Sequence, residues 1–184
     1  MATNTLSRSL HDVGLAAWFG GTLANAVALN AAAGAAGDQR SAGSVANAGW
    51  DRWTPVNAAA IGAHLVGSVG QLAGNAERIK AQQGVASMTL VKTGLTAAAL
   101  GVTAYSRVLG QKVSQYGAVP AEDGTSPTPA TPEEAAKAMK QLLLMQWAVP
   151  VVTGALVVVT SFAGEQQRYT EVKTGVLSRL VTGR

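Results

Sequence analysis

A chain of 184 residues with 48% hydrophobic content and only 13% charge carries too few charges for an ordinary soluble surface, and points to a single membrane domain. The absence of cysteine excludes disulfides, thiolate catalysis and thiolate metal sites. The net charge of +4 is dispersed among apolar segments instead of lying on one polar face, which argues against a nucleic-acid partner and for anionic lipid headgroups.

Mean hydropathy is only +0.19, because Ala and Gly dominate the apolar set. Small residues let helix backbones approach closely in lipid, where no hydrophobic drive brings helices together. After a short polar lead, Leu10 to Ala33 forms the first apolar segment. Arg8 before it and the small residues Ala31 to Ala36 after it also imitate a secretory signal. Trp18, Gly20, Gly21, Asn25 and Asn30 make a poor signal core and fit a packed helix better. Residues 34–53 read as a Gly/Ala/Ser loop that ends in Trp50 and Trp53, aromatic rings placed at a lipid–water interface.

Thr54-Pro55 is a helix start, with Thr as N-cap and Pro at the first helical position, and the second helix runs to Gly74. Glu77, Arg78 and Lys80 occupy the next turn, and a third helix follows over about 85–109, with Lys92 able to snorkel to the headgroups. Residues 111–131 form a flexible Pro/Thr/acidic loop. Thr131-Pro132-Glu133-Glu134 is a capping-box start for a fourth helix over 133–164. That helix contains the strongest signal in the chain: Leu142 to Gly164 runs 23 residues without a charge, about 35 Å of helix, with a bend expected at Pro150. The basic tail, 165–184, places Tyr169, Val172, Val176 and Leu180 on one side and is expected to meet anionic lipid headgroups. The tetrapeptide VKTG occurs at Val91 and again at Val172, a weak sign of a duplicated hairpin.

The fold expected is an all-α integral membrane four-helix bundle. Eight Lys and Arg (Arg8, Arg78, Lys80, Lys92, Arg168, Lys173, Arg179, Arg184) fall on the side of both termini, against six (Arg40, Arg52, Arg107, Lys112, Lys137, Lys140) on the other. This bias places both termini in the cytoplasm.

At about 100° per residue the second helix sorts into faces. Asn57, His64, Ser68, Gln71 and Asn75 form a polar stripe, Ile61, Leu65, Val69 and Leu72 an apolar one, and Ala59, Ala63, Gly67, Gly70 and Gly74 a flat packing face. Polar side chains facing lipid are costly, so the stripe is expected to face protein or water. Similar seams align His11, Trp18, Thr22 and Asn25 on the first helix, Thr89, Lys92, Thr96, Thr103 and Ser106 on the third, and Gln146, Thr153 and Thr160 on the fourth. An antiparallel first hairpin would bring Asn25 and His64 to one depth and into a hydrogen bond. The same placement separates His11 from His64 by about 15 Å in height, too far to share a haem iron, so no cofactor is expected. No H-E-x-x-H, G-x-S-x-G, P-loop or dinucleotide fingerprint is present.

At LHDVGLAAWFGG (Leu10 to Gly21), WDRWTPVNAAAIGAH (Trp50 to His64) and GEQQR (Gly164 to Arg168) the chain resembles a group of small integral membrane proteins of actinobacteria. The resemblance implies a bacterial plasma-membrane location and a four-helix topology, and transfers no activity and no functional residue.

Three functional readings follow. The first is a non-enzymatic subunit or scaffold that packs, as a homo-oligomer or with a protein partner in the bilayer, through its Ala/Gly faces. The second is a binding or carrier protein for a lipid-like or quinone-like molecule, in a polar cavity lined by Asn25, Asn57, His64, Ser68 and Gln71. The third, a membrane enzyme acting at Glu165, has the least support, since a Glu beside Arg168 is the ordinary dress of a solvated helix end.

Overall fold

The structure, a computed structural model, describes residues 4–76 and 83–165. The expected turn at Glu77, Arg78 and Lys80, the amphipathic tail and the second VKTG lie outside the described residues. Among those described, the chain is all helical, with four long helices. They are α1 (Thr5–Ala33), α2 (Gln39–Gly74), α3 (Gln83–Ser114) and α4 (Glu133–Glu165). Three of them are long and apolar enough to cross a membrane, over Thr5–Ala33, Val85–Ser114 and Glu133–Gly164. The polar stripe of α2 leaves that helix short of the same apolarity.

Of the segment 34–53 only 34–38 form a turn; from Gln39 on it is helical, not a loop. Gly37, at φ +90°, makes the reversal after α1, where a side chain would be strained. Asp38 then caps α2. It accepts from the Ser41 hydroxyl and from the amides of Ser41 and Arg40 at 3.0 and 2.9 Å, which hold its carboxyl below the usual range. From there α2 runs 36 residues and passes straight through Pro55. A proline inside a helix forfeits one amide bond, here to the carbonyl of Asp51, which stands exposed. The small residues that resemble a loop are there for packing: Ala42, Gly43 and Ala46 are buried, and a Cβ on Gly43 would collide with the Val119 carbonyl. Trp50 and Trp53 therefore sit within α2, not on a loop.

The 111–131 stretch is likewise built, not slack. Helix α3 runs to Ser114, and the connection after it folds onto the ends of α1 and α2. Ala121 N–H donates to the Gln39 carbonyl and Gly124 N–H to the Asn30 carbonyl, each at 2.9 Å. Asp123 accepts the amides of Thr125 and Ser126 at 2.7 and 2.8 Å. Val119 and Ala121 join Leu109, Val113, Ala135, Ala138 and Met139 in a buried cluster. The Thr131 hydroxyl accepts from Thr128 N–H and donates to the Pro120 carbonyl, so it serves this connection and not the expected capping box. Helix α4 begins at Glu133 and continues through Pro150.

The helices pair in the order α2–α1–α4–α3. Contact is closest between α1 and α2 and between α3 and α4; α1 also meets α4, while α2 and α3 barely approach. Glycines set the α1–α2 contact: a Cβ on Gly14 would strike the backbone of Ala60 and His64, and one on Gly67 the backbone of Ser7 and His11. Trp18, Ala60, Ala99 and Val149, one residue from each helix, form the central buried layer.

Two glycine substitutions separate these roles. Gly67→Ala is expected to lower stability by about 1–3 kcal/mol through overpacking. Gly62→Ala, which meets nothing within 4 Å, is expected to raise it by up to about 1 kcal/mol through helix propensity. Thermal unfolding of both variants in one detergent checks the pair, and equal effects would show that the close approach does not exist.

Candidate functional site

The hairpin register fixes which polar groups meet. Because α2 starts at Gln39 and the reversal is short, His64 lies level with His11, not with Asn25. The two imidazole rings are 4.4 Å apart between centroids, tilted at 45°, and both residues are almost fully buried. The expected separation of about 15 Å is thus corrected, and with it the Asn25–His64 hydrogen bond. The height difference that argued against a shared haem iron falls with that separation.

His64 Nδ1 lies 3.3 Å from the His11 carbonyl, which can only accept, so the ring proton is assigned to Nδ1. Its Nε2 is then the acceptor for the Thr96 hydroxyl, at 3.5 Å. His11 Nδ1 pairs with Asp12 Oδ1 at 2.7 Å. The Trp18 ring, fully buried, stands edge-on to His64 at 6.0 Å and donates from Nε1 to the Thr103 hydroxyl at 3.2 Å. The two imidazoles and the Trp18 ring fill the middle of the bundle and line none of its three main cavities, which reach only their partners Thr103, Thr96 and Asp12.

The accessible space lies between α2 and α3. One cavity of about 320 Å³ is walled by Trp53, Asn57 and Ile61 of α2 and by Leu100, Thr103 and Arg107 of α3. A second, of about 510 Å³, is walled by Leu65, Ser68 and Gln71 against Met88, Lys92 and Leu100. Leu100 borders both, so the two form one seam that runs along the helices. Volumes of this size suit a small-molecule ligand. Apolar walls predominate, yet Trp53 Nε1 and Asn57 Oδ1 in the first cavity and Gln71 Nε2 in the second are buried without a hydrogen-bond partner among the described residues.

Of the site residues expected from sequence, Asn57, Ser68 and Gln71 line the seam, Asn57 in the first cavity and the other two in the second. Ser68 spends its hydroxyl proton on the His64 carbonyl at 2.8 Å. His64 is in the core behind them, and Asn25 is half-buried and lines none of the cavities. On the small face, Gly67 is buried and Gly70 and Ala63 half-buried; Ala59 and Gly74 are exposed, Gly74 with Asn4 laid over it.

The residue not singled out from sequence is Asn30. A π turn at Asn25–Leu29 inserts one extra residue into α1 and swings Asn30 inward. There Asn30 donates to Gln146 Oε1 at 2.8 Å and accepts from Trp50 Nε1 at 3.0 Å, while its carbonyl takes Gly124 N–H. Three elements are tied to α1 through this side chain and backbone, and they close one end of the seam. The only hint in the sequence is an Asn spaced five residues from another in an apolar helix.

No family model, no curated protein and no solved structure matches the chain, so the site is read from its own chemistry.

Asn30→Leu strands the Trp50 N–H and the Gln146 carbonyl together. A loss of about 2–4 kcal/mol is expected, against less than about 1 kcal/mol for Asn25→Leu. Unfolding followed by tryptophan fluorescence measures both, and the ranking reverses if Asn25 is the organising amide.

Proposed function

We propose that the chain is a multi-pass integral protein of a bacterial plasma membrane, with both termini cytoplasmic, that binds an amphipathic small molecule in the seam between α2 and α3. One observation supports this reading: a seam with apolar walls in which Trp53 Nε1, Asn57 Oδ1 and Gln71 Nε2 are buried and have no partner among the described residues. Leaving a buried polar group unpaired costs about 1–3 kcal/mol. A bundle selected for packing alone would close the gap or replace those side chains with apolar ones. A ligand with a hydrocarbon or ring body and a few polar atoms satisfies walls and orphans together. Trp53 offers a donor and Asn57 an acceptor in the first cavity, which suits a carbonyl or hydroxyl group on such a molecule.

The reading as a subunit or scaffold has a different support. Gly67, Gly70 and Gly74 are taken up by α1, so that face is not free for another protein. The outer side of α3 is: Gly94 and Gly101 meet nothing within 4 Å, and Leu90, Val91, Tyr105 and Val108 are exposed.

Native mass spectrometry of the protein extracted from its own membrane in mild detergent separates the two. The binding reading expects a defined small-molecule mass, reduced at least tenfold by Leu100→Trp, which plugs the seam where the cavities meet. Asn57→Ala is expected to reduce it about three- to tenfold, the worth of one hydrogen bond. A stoichiometric second protein with an empty seam would replace binding by the subunit reading.

A further inference from the structure

The two ends of the seam differ in how their cations are matched: Arg107 at the Trp53–Asn57 end lies 3.8 Å from Asp51, whereas the end beyond Ser68 carries Lys92. Lys92 and Gln71 border the 510 Å³ cavity and also a third space, of about 450 Å³, which opens beside Arg8, Asp12, Thr160 and Ser161. The two spaces therefore meet at Lys92 and Gln71. Lys92 is half-buried, and among the described residues no carboxylate lies within ion-pair distance of it. Gln71 and Thr160 line the same region, and Gln71 Nε2 and Thr160 Oγ1 are buried without a hydrogen-bond partner among the described residues. The carboxylate that lines this region is Asp12, and its Oδ1 is already held by His11 Nδ1 at 2.7 Å. Arg8 adds a second positive charge at the mouth.

An ammonium held between apolar walls is costly unless an opposite charge comes with it. On one side of Lys92 are hydrogen-bond donors and an opening; on the other is a slot walled by Leu65, Val69, Leu72, Met88 and Leu100. We propose that this is a binding site for an anionic membrane lipid. The negatively charged head is held by Lys92 Nζ, Gln71 Nε2 and the Thr160 hydroxyl, and one hydrocarbon chain lies in the α2–α3 seam. A water-soluble anion leaves the apolar slot unfilled, and a neutral lipid leaves Lys92 uncompensated. The inference rests on the reading of the seam as a ligand site and adds the charge and class of the ligand.

The full chain, purified and stripped of lipid in mild detergent, is titrated with phosphatidylglycerol and phosphatidylcholine of identical acyl chains, and bound lipid is counted by native mass spectrometry. Phosphatidylglycerol is expected to bind at least about tenfold more tightly, ~1.4 kcal/mol. Lys92→Gln removes that preference and leaves phosphatidylcholine binding as it was; Lys92→Arg restores it. Gln71→Leu, which keeps the charge, weakens phosphatidylglycerol about threefold. Lys137→Gln, on a lysine paired with Glu133 and Glu134 at the start of α4, leaves the preference intact. Equal affinity for the two lipids, or a preference that survives Lys92→Gln, overturns the anionic site while the seam stands as a binding site. Binding of neither lipid overturns both. Displacement of phosphatidylglycerol by millimolar glycerol phosphate would move the site from a lipid to a soluble anion and overturn the lipid assignment.

Discussion

The contact on which the rest of this structure depends is the backbone-to-backbone approach of α1 and α2 at Gly14 and Gly67. In a bilayer, apolar side chains gain nothing by leaving lipid for one another, so helices hold together by close van der Waals contact and a few polar bonds. Gly14 lets α1 reach the carbonyl of Ala60 and the amide of His64; Gly67 lets α2 reach the amide of His11. Each histidine thus lies at or beside a point of closest approach, and the two rings have nowhere to go but against each other. The buried imidazole pair is a consequence of helix packing before it is anything chemical. Three of the four ring nitrogens are bonded, to the His11 carbonyl, Thr96 and Asp12, while His11 Nε2 is buried without a partner among the described residues.

The same contact produces the seam. α2 commits its small face to α1, α1 turns another face to α4, and α4 pairs with α3, so α2 and α3 are left as neighbours that meet little outside the Ala60–Ala99 layer. Trp18 reaches across from the α1 side to Thr103 of α3 at 3.2 Å, and the space between α2 and α3 comprises two cavities that share Leu100 as a border. At one end Arg107 reaches across toward Asp51, at 3.8 Å. An opening of this kind follows from the order of pairing, and the side chains around it decide what it can hold.

Much of this could be read from the residues, and the failures have specific physical causes. The charge-free run Leu142 to Gly164 marks a helix by length alone, and the angular sorting of α2 separates Gly67 and Gly70 from Asn57, Ser68 and Gln71 because the 3.6-residue period is insensitive to where a helix starts. Register is another matter. Residues 34–53 have a composition that serves equally for a loop and for a helix packed against backbone, and Thr54-Pro55 looks the same at a helix start as within a helix that accepts one lost bond. The misplacement of that start moved the reversal, and a displaced reversal pairs His64 with Asn25 in place of His11. The π turn escaped for a related reason: a one-residue insertion leaves no mark in the apolar period, and it alone decides whether Asn25 or Asn30 faces inward. The 111–131 connection reads as slack because its order comes from partners distant in sequence, Gln39 and Asn30, and not from its own residues.

The two ends of the seam are built unlike one another. One is closed by the Asn30, Trp50 and Gln146 bonds and by Gly124 and Thr125 laid over them, all polar groups satisfied within the protein. The other opens at Lys92, where Gln71 Nε2 and Thr160 Oγ1 have no hydrogen-bond partner among the described residues. A molecule in the seam would therefore meet bonded polar groups at the closed end, the unpartnered Trp53 and Asn57 groups within the first cavity, and Lys92 at the open end, so that only the open end suits a charged head. A charged amphiphile in this seam would have one favourable orientation, head toward Lys92 and body toward the closed end, and that orientation is set by where the protein has already spent its own hydrogen bonds.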